Sequence, residues 1–244
     1  MDIFKALVMF MTIATPSTGG AGNFEIDVIK TAAGDLGVIF IGHSSLYFTF
    51  NGKVIYNDPV GEKGVYKLLP KADLILVSHD HFDHFDPDTI AAISTPKTRI
   101  VLTETCAGKL GRGTVLKNGD KTTIDGIAIE AVPAYNIIHL RAPGQPFHPR
   151  GMGNGYIVTF GDKRVYLAGD TENIPEMKNL EKIDIAFLPM NLPYTMTPEM
   201  VADIARMVKP SILYPYHFGN TDTSLLVSLL KEDKRIEVRI RRMP

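Results

Sequence analysis

From Phe24 onward, apolar and polar positions alternate in short runs separated by dipeptides that reverse the chain. Residues 46–50 and 54–57 flank Asn51-Gly52, a pair that tolerates positive φ at both positions and so predicts a hairpin with a type I′ turn. Residues 122–124 and 127–132 flank Asp125-Gly126 in the same way, and residues 156–160 and 164–168 flank Gly161-Asp162. Three other runs, at 74–77, 100–102 and 185–188, are continuously apolar, as expected of strands covered on both faces. Helix starts are marked by a side chain that accepts from the first free N–H groups, followed in two cases by proline at the first helical position. Asp86-Pro87 precedes residues 88–93, and Thr197-Pro198 precedes residues 199–208, which Pro210 terminates. Asp222 or Thr221 caps residues 223–231. Hairpins mixed with doubly covered strands and helices predict an α/β domain with two mixed sheets in the middle and helices outside. With no linker, low-complexity tract or clear repeat, residues 23–244 read as one domain.

Composition narrows the class. Among 244 residues, 45% are hydrophobic and 22% charged, which excludes a disordered chain. The 26 basic and 27 acidic side chains leave a net charge of −1, without the cationic surplus that nucleic-acid binding needs. The single cysteine, Cys106, excludes an intrachain disulfide and a cysteine-based metal cluster, and reads as buried and inert. Residues 1–22 differ from the rest: Lys5 precedes the short apolar run 6–14, and small residues follow to Ala21. That order fits a secretory leader cleaved after Ala21 and hence an exported or periplasmic protein. An N-terminal helix or extension on a cytoplasmic protein is the other reading. No segment has the length and apolarity of a membrane span.

The densest chemistry is Ser78-His79-Asp80-His81-Phe82-Asp83-His84, directly after the buried run 74–77. Imidazole and carboxylate are the ligands of zinc and similar divalent ions, and four such groups at a strand end are costly to bury without a cation. Gly169-Asp170-Thr171 ends another apolar strand, and His217 ends the run 212–216. Each is a weak signal alone. Together they place polar groups at three strand ends, where ligands gather in sheets of this kind.

With these motifs in this order, the sequence resembles the metallo-β-lactamase superfamily over nearly everything after Phe24. Within it the chain is similar to the small lactonase and metal-dependent hydrolase branch, which includes ascorbate-6-phosphate lactonase and the phospholipase D that cleaves N-acyl-phosphatidylethanolamine. Gly42-His43-Ser44-Ser45, Asn57-Asp58-Pro59, Pro133-Ala134-Tyr135-Asn136 and Phe147-His148-Pro149 carry that closer likeness. The resemblance implies a four-layer αβ/βα sandwich with a dinuclear metal site at one edge. Position by position, it implies that His79, His81 and His148 hold the first metal, that Asp83, His84 and His217 hold the second, and that Asp170 bridges them. His139 and His148 both precede the glycine-rich strand start at 151–155; motif position favours His148 and leaves His139 as a substrate-pocket residue or an exposed one. Two divalent ions are implied, zinc first, with manganese or iron compatible with the same ligands.

Two metals sharing a carboxylate supply hydroxide near neutral pH and polarise the substrate oxygen. The implied activity is hydrolysis of a small-molecule ester, lactone or phosphodiester, with Asp83 ligating and orienting the nucleophile. Asp58 and then His43 are candidates to hold the ligating imidazoles through hydrogen bonds. Tyr194 is placed to donate a hydrogen bond to substrate or leaving group, and Arg150 and Arg141 flank the His148 loop as candidate anion binders. The competing class is a redox enzyme of the same fold, a sulfur dioxygenase or a diiron protein. Against the diiron kind stand His81, where that group has Glu, and the lack of a flavodoxin domain. A nuclease is disfavoured by the charge balance, and a binding protein by the full ligand set.

Overall fold

The computed structural model describes residues 24–61 and 66–243. The proposed leader or extension, residues 1–22, lies outside the described residues.

The first sheet contains β1 (Glu25–Thr31), β2 (Gly34–Gly42), β3 (Ser45–Phe50), β4 (Lys53–Asn57), β5 (Leu74–Leu76), β6 (Arg99–Leu102) and β7 (Thr114–Val115), in that spatial order. Strands β1 to β4 form an antiparallel meander, and β4 to β7 run parallel. Helices α1 (Pro87–Ile93) and α2 (Glu104–Leu110) supply the parallel crossovers. The chain then builds β8 (Lys121–Ile124) and β9 (Ile127–Ala134), and forms a two-stranded ribbon of β10 (Leu140–Ala142) and β11 (Gln145–Pro146). It continues with β12 (Gly153–Phe160), β13 (Lys163–Leu167), β14 (Ile185–Pro189), α3 (Pro198–Val208), β15 (Ile212–Tyr216), α4 (Thr223–Leu230) and β16 (Glu237–Val238). The second sheet has the order β16-β15-β14-β13-β12-β9-β8, again half antiparallel and half parallel. The two sheets thus share one plan that is not visible as a sequence repeat.

The local chemistry accounts for these elements. Asn51 and Gly52 both take positive φ (48° and 74°), as do Asp125 and Gly126 (49° and 82°), so each pair closes its hairpin with the strand twist preserved. Asp86 accepts from the N–H groups of Asp88 and Thr89, Thr197 from Met200, and Asp222 from Ser224, which fixes the starts of α1, α3 and α4. Helix α2 is not announced by the sequence pattern. Thr103 caps it by accepting from Cys106 N–H, and Gly111 ends it with φ 74°. It is only seven residues long and has one fully buried side chain, Cys106, too little for an amphipathic stripe to register.

Strand alternation explains the apolar runs. In β14, Ile185 and Phe187 face the core between the sheets, while Ala186 and Leu188 face the helical layer. The intersheet core joins Phe40, Phe48 and Leu76 to Tyr156, Phe160 and Tyr214. Outside the second sheet, Tyr166, Leu188 and Leu213 meet Val201, Ile204 and Ala205 of α3. Outside the first, Ile75, Val77 and Leu102 meet Ile90 and Ile93 of α1 and Cys106 of α2. Helix, sheet, sheet and helix therefore stack as the αβ/βα sandwich. Parallel strands β4, β5, β13 and β15 end just before Asp58, Ser78-His79, Gly169-Asp170 and His217, so their polar ends gather on one edge.

Candidate metal centre

Three groups of potential ligand atoms occupy that edge, the atoms in each lying within 4.8 Å of one another. One group is His79, His81 and His148; a second is His43, Asp83, His84 and His217; a third is His79, His84 and Asp170. Asp170 Oδ2 lies 3.1 Å from His148 Nε2 and 3.3 Å from His217 Nε2, and Oδ1 lies 3.2 Å from His84 Nε2. One carboxylate therefore touches a member of each histidine group. Its place depends on Gly169, whose φ is 65° and where a Cβ would meet the Asn154 carbonyl at 2.7 Å.

The candidate ligand side chains are held from behind. Asp58, fully buried, accepts from Ser78 N–H and Ser78 Oγ at 2.7 Å each, and from His84 Nδ1 at 2.9 Å. With its Nδ1 proton committed to Asp58, His84 turns Nε2 toward Asp170. Asn136 Oδ1 likewise accepts from the Nδ1 and backbone N–H of His148, at 2.7 and 2.9 Å. His79 Nδ1 lies 2.9 Å from Ser78 Oγ. His43 Nε2 lies 3.0 Å from Asp83 Oδ2, and its ring centroid lies 3.7 Å from that of His217, tilted by 41°. His43, Asp58 and His217 adopt φ of 58°, 41° and 46°, a conformation L-residues avoid at a cost of about 1–3 kcal/mol each. Backbone bonds from Asp58 N–H to Leu76 and from His217 N–H to His43, at 2.9 and 3.0 Å, hold the strained bends.

Electrostatics divide the imidazoles. Burial, reinforced by the neighbouring His84, holds His79 well below its usual range; burial lowers His43 and His81 as well. That shift favours the neutral form of each ring, which has a lone pair to offer. Burial opposes the charge on His84 and His217, but Asp170 outweighs it, raising His84 well above the ordinary value and His217 to about 8. Burial alone would raise Asp170 and Asp83, yet the surrounding histidines hold both carboxylates below their normal range.

The donor set fits divalent cations. Nε2 of His79, His84 and His217 and Oδ1 of Asp170 are buried with no hydrogen-bond partner, and buried polar atoms are rarely left so. Cations placed among them would satisfy these atoms, and the nitrogen and oxygen donors without thiolate suit zinc, manganese or iron.

A cavity of about 570 Å³ opens onto the cluster, walled by His81, His148, Asp170 and His217 together with Phe147 and Tyr194. Tyr194 is 44% exposed, and its ring meets that of Phe147 edge-on at 5.0 Å. Two residues expected at the substrate pocket fall elsewhere. His139 Nδ1 lies 2.6 Å from Glu172 Oε1, and Arg150 pairs with Glu176 at 2.5 Å over the Tyr135 ring; neither lines this cavity. Arg141 lines it instead. A second cavity of about 580 Å³, beside Tyr166 and Met177, contains none of the clustered donors. Cys106 is fully buried, and burial pushes its thiol up to about 11, as suits an inert side chain.

Glu172 supports the His148 side of the cluster and is not singled out by sequence patterning. It is fully buried, accepts from the N–H groups of Ile137, Ile138 and His139 at 2.6–2.7 Å, and takes the Asn136 amide nitrogen at 3.2 Å. That bond turns the other end of the Asn136 amide, Oδ1, toward His148. Its only signal in the sequence is a carboxylate directly after Gly169-Asp170-Thr171.

Comparison with known proteins agrees with this geometry. Residues 37–217 match the beta-lactamase superfamily domain. A UPF0173 metal-dependent hydrolase from Pyrococcus abyssi is 31% identical over 194 residues, covering 75% of this chain and 84% of the relative. A crystal structure from Parabacteroides distasonis, described as a candidate metal-dependent hydrolase, superposes with a TM-score of 0.87 at 50% identity, covering 91% of this chain and all of that one. The metallo hydrolase Igni18 from Ignicoccus hospitalis shares the fold, with a TM-score of 0.70 at 21% identity over 84% of this chain and 94% of that one.

Proposed function

The chain belongs to the metallo-β-lactamase superfamily, and on that premise we propose that it is a metal-dependent hydrolase that cleaves a small ester, lactone or phosphodiester at a dinuclear centre. The observation that carries this reading is the contact of Asp170 with both histidine groups. His79, His81 and His148 would hold one ion, Asp83, His84 and His217 the other, with Asp170 shared between them. Bound there, divalent ions, zinc foremost, supply positive charge that acidifies a water and polarises a substrate oxygen.

The chain's own residues do the rest. His43 fixes the Asp83 carboxylate at 3.0 Å, which holds it in one orientation at the cavity wall. Asp58 and Asn136 keep His84 and His148 in the tautomer that turns Nε2 inward. The Tyr194 hydroxyl is available to the substrate or to the departing oxygen. Nothing in this arrangement requires a side-chain nucleophile.

The test is hydrolysis of chromogenic esters, lactones and phosphodiesters by protein stripped of metal and reloaded with zinc or manganese. Turnover that appears on reloading and is lost in Asp170→Ala supports the reading; equal turnover in the stripped protein overturns it. Export through cleavage after Ala21 is part of the proposal, and N-terminal sequencing of the mature protein decides it.

A further inference from the structure

The cavity has three features that together describe what it holds besides the reacting bond. The first is a cation without a counter-charge. Arg141, on β10, lines the cavity, and among the described residues no carboxylate pairs with it. Its guanidinium lies 5.6 Å from the Phe147 ring centroid, and Nη2 reaches the Phe147 carbonyl at 3.5 Å. Lys109, the other Lys or Arg side chain lining the cavity, is neutralised by Asp80 at 2.6 Å.

The second feature is that the carboxylates there are engaged. Asp80 is taken by Lys109, Asp83 by His43, and Asp170 by His84, His148 and His217. Arg141 therefore has no acidic side chain of the wall to turn to. The third is an apolar surface beside it: Phe147 and Tyr194 pack edge to face, and Phe82 on the same cavity is 81% exposed.

An arginine stacked on an aromatic ring has part of its side-chain entropy removed in advance and keeps its planar donor fork for a carboxylate or phosphate. The geometry points to an anion subsite: the substrate is an ester bearing a second, non-reacting carboxylate or phosphate, joined to the scissile bond through an apolar portion. Arg141 takes the anionic group, and Phe147, Tyr194 and Phe82 cover the apolar portion. This deepens the hydrolase reading and rests on it for the position of the scissile bond. It also separates the two arginines flanking the His148 loop, since Arg150 is committed to Glu176 outside the cavity.

The experiment compares 4-nitrophenyl acetate with the 4-nitrophenyl half-ester of glutaric acid on metal-loaded wild type, Arg141→Met and Arg141→Lys. In wild type the half-ester has a KM about tenfold or more below that of the acetate, a preference that added salt weakens. In Arg141→Met the ratio of the two KM values falls toward one, and Arg141→Lys restores part of it. A ratio unchanged in Arg141→Met overturns the subsite. Calorimetric binding of the inert anilide, glutaryl-4-nitroanilide, separates this failure from that of the hydrolase reading. Arg141-dependent binding without turnover of either ester keeps the subsite and removes the hydrolase; turnover of both esters with binding indifferent to Arg141 does the reverse.

Discussion

The carboxylate of Asp58 receives Nδ1 of His84 at 2.9 Å, with both side chains fully shielded from solvent. This pair joins the end of β4 to the loop after β5 and decides which nitrogen of His84 faces Asp170. In Asp58→Asn the amide keeps the shape but loses the negative acceptor. We expect metal affinity to fall about 10–100-fold, read by competition with a chromophoric chelator. An unchanged affinity would show that Asp58 has no part in aiming the imidazole.

Glu172 acts one residue further back, through Asn136. In Glu172→Gln one acceptor oxygen is lost from a carboxylate that takes five N–H groups of residues 136–139. Stability should drop by about 1–3 kcal/mol in urea unfolding. If the Asn136 amide then rotates, metal bound by the His79, His81 and His148 group should be lost before metal bound by the other. Equal loss from both groups contradicts the relay.

Gly169 allows little substitution. Its backbone is left-handed, and the Asn154 carbonyl lies 2.7 Å from the point a Cβ would occupy, which leaves no room for alanine. Gly169→Ala should cost about 1–2 kcal/mol or more in thermal unfolding from the backbone alone, and the shift of Asp170 should weaken metal uptake. A variant as stable as wild type would refute the constraint.

Asp27 predicts the acid limb of stability. Burial would raise its pKa, but hydrogen bonds from Tyr214 and Arg241 and the charges of Arg241 and Arg239 hold it below the ordinary value. A carboxyl whose folded pKa is depressed contributes stability above its unfolded value of about 3.9, and that contribution is lost as pH falls through the folded pKa. Wild type should therefore exceed Asp27→Asn in urea resistance at neutral pH, and the gap should close as the pH drops below about 4. A gap independent of pH would place the effect in packing instead.

Local chemistry makes much of this molecule legible. Asn51-Gly52 and Asp125-Gly126 carry their turns in the backbone freedom of two residues, and Asp86, Thr197 and Asp222 mark helix starts within three positions. The seven side chains expected as ligands all fall within the clustered donor groups: His79, His81, Asp83 and His84 share one short loop, and Asp170 and His217 follow the ends of parallel strands on the same edge. What stays hidden in the sequence depends on distant partners. Glu172 matters through residues 33 to 36 positions away, and Arg150 is drawn off by Glu176, 26 positions on. Sequence gives His43 only as a holder of other ligands; its closeness to Asp83 and His217 follows from the β2–β3 turn meeting the ends of β5 and β15.

The most direct measurement is metal content per chain, by elemental mass spectrometry on protein prepared without chelator or nickel affinity. A centre bridged by Asp170 predicts about two divalent ions per chain, zinc or manganese, falling in Asp170→Ala. About one iron per chain would instead indicate dioxygenase chemistry. Protein that retains no metal and takes none up on reconstitution would contradict the metal centre itself.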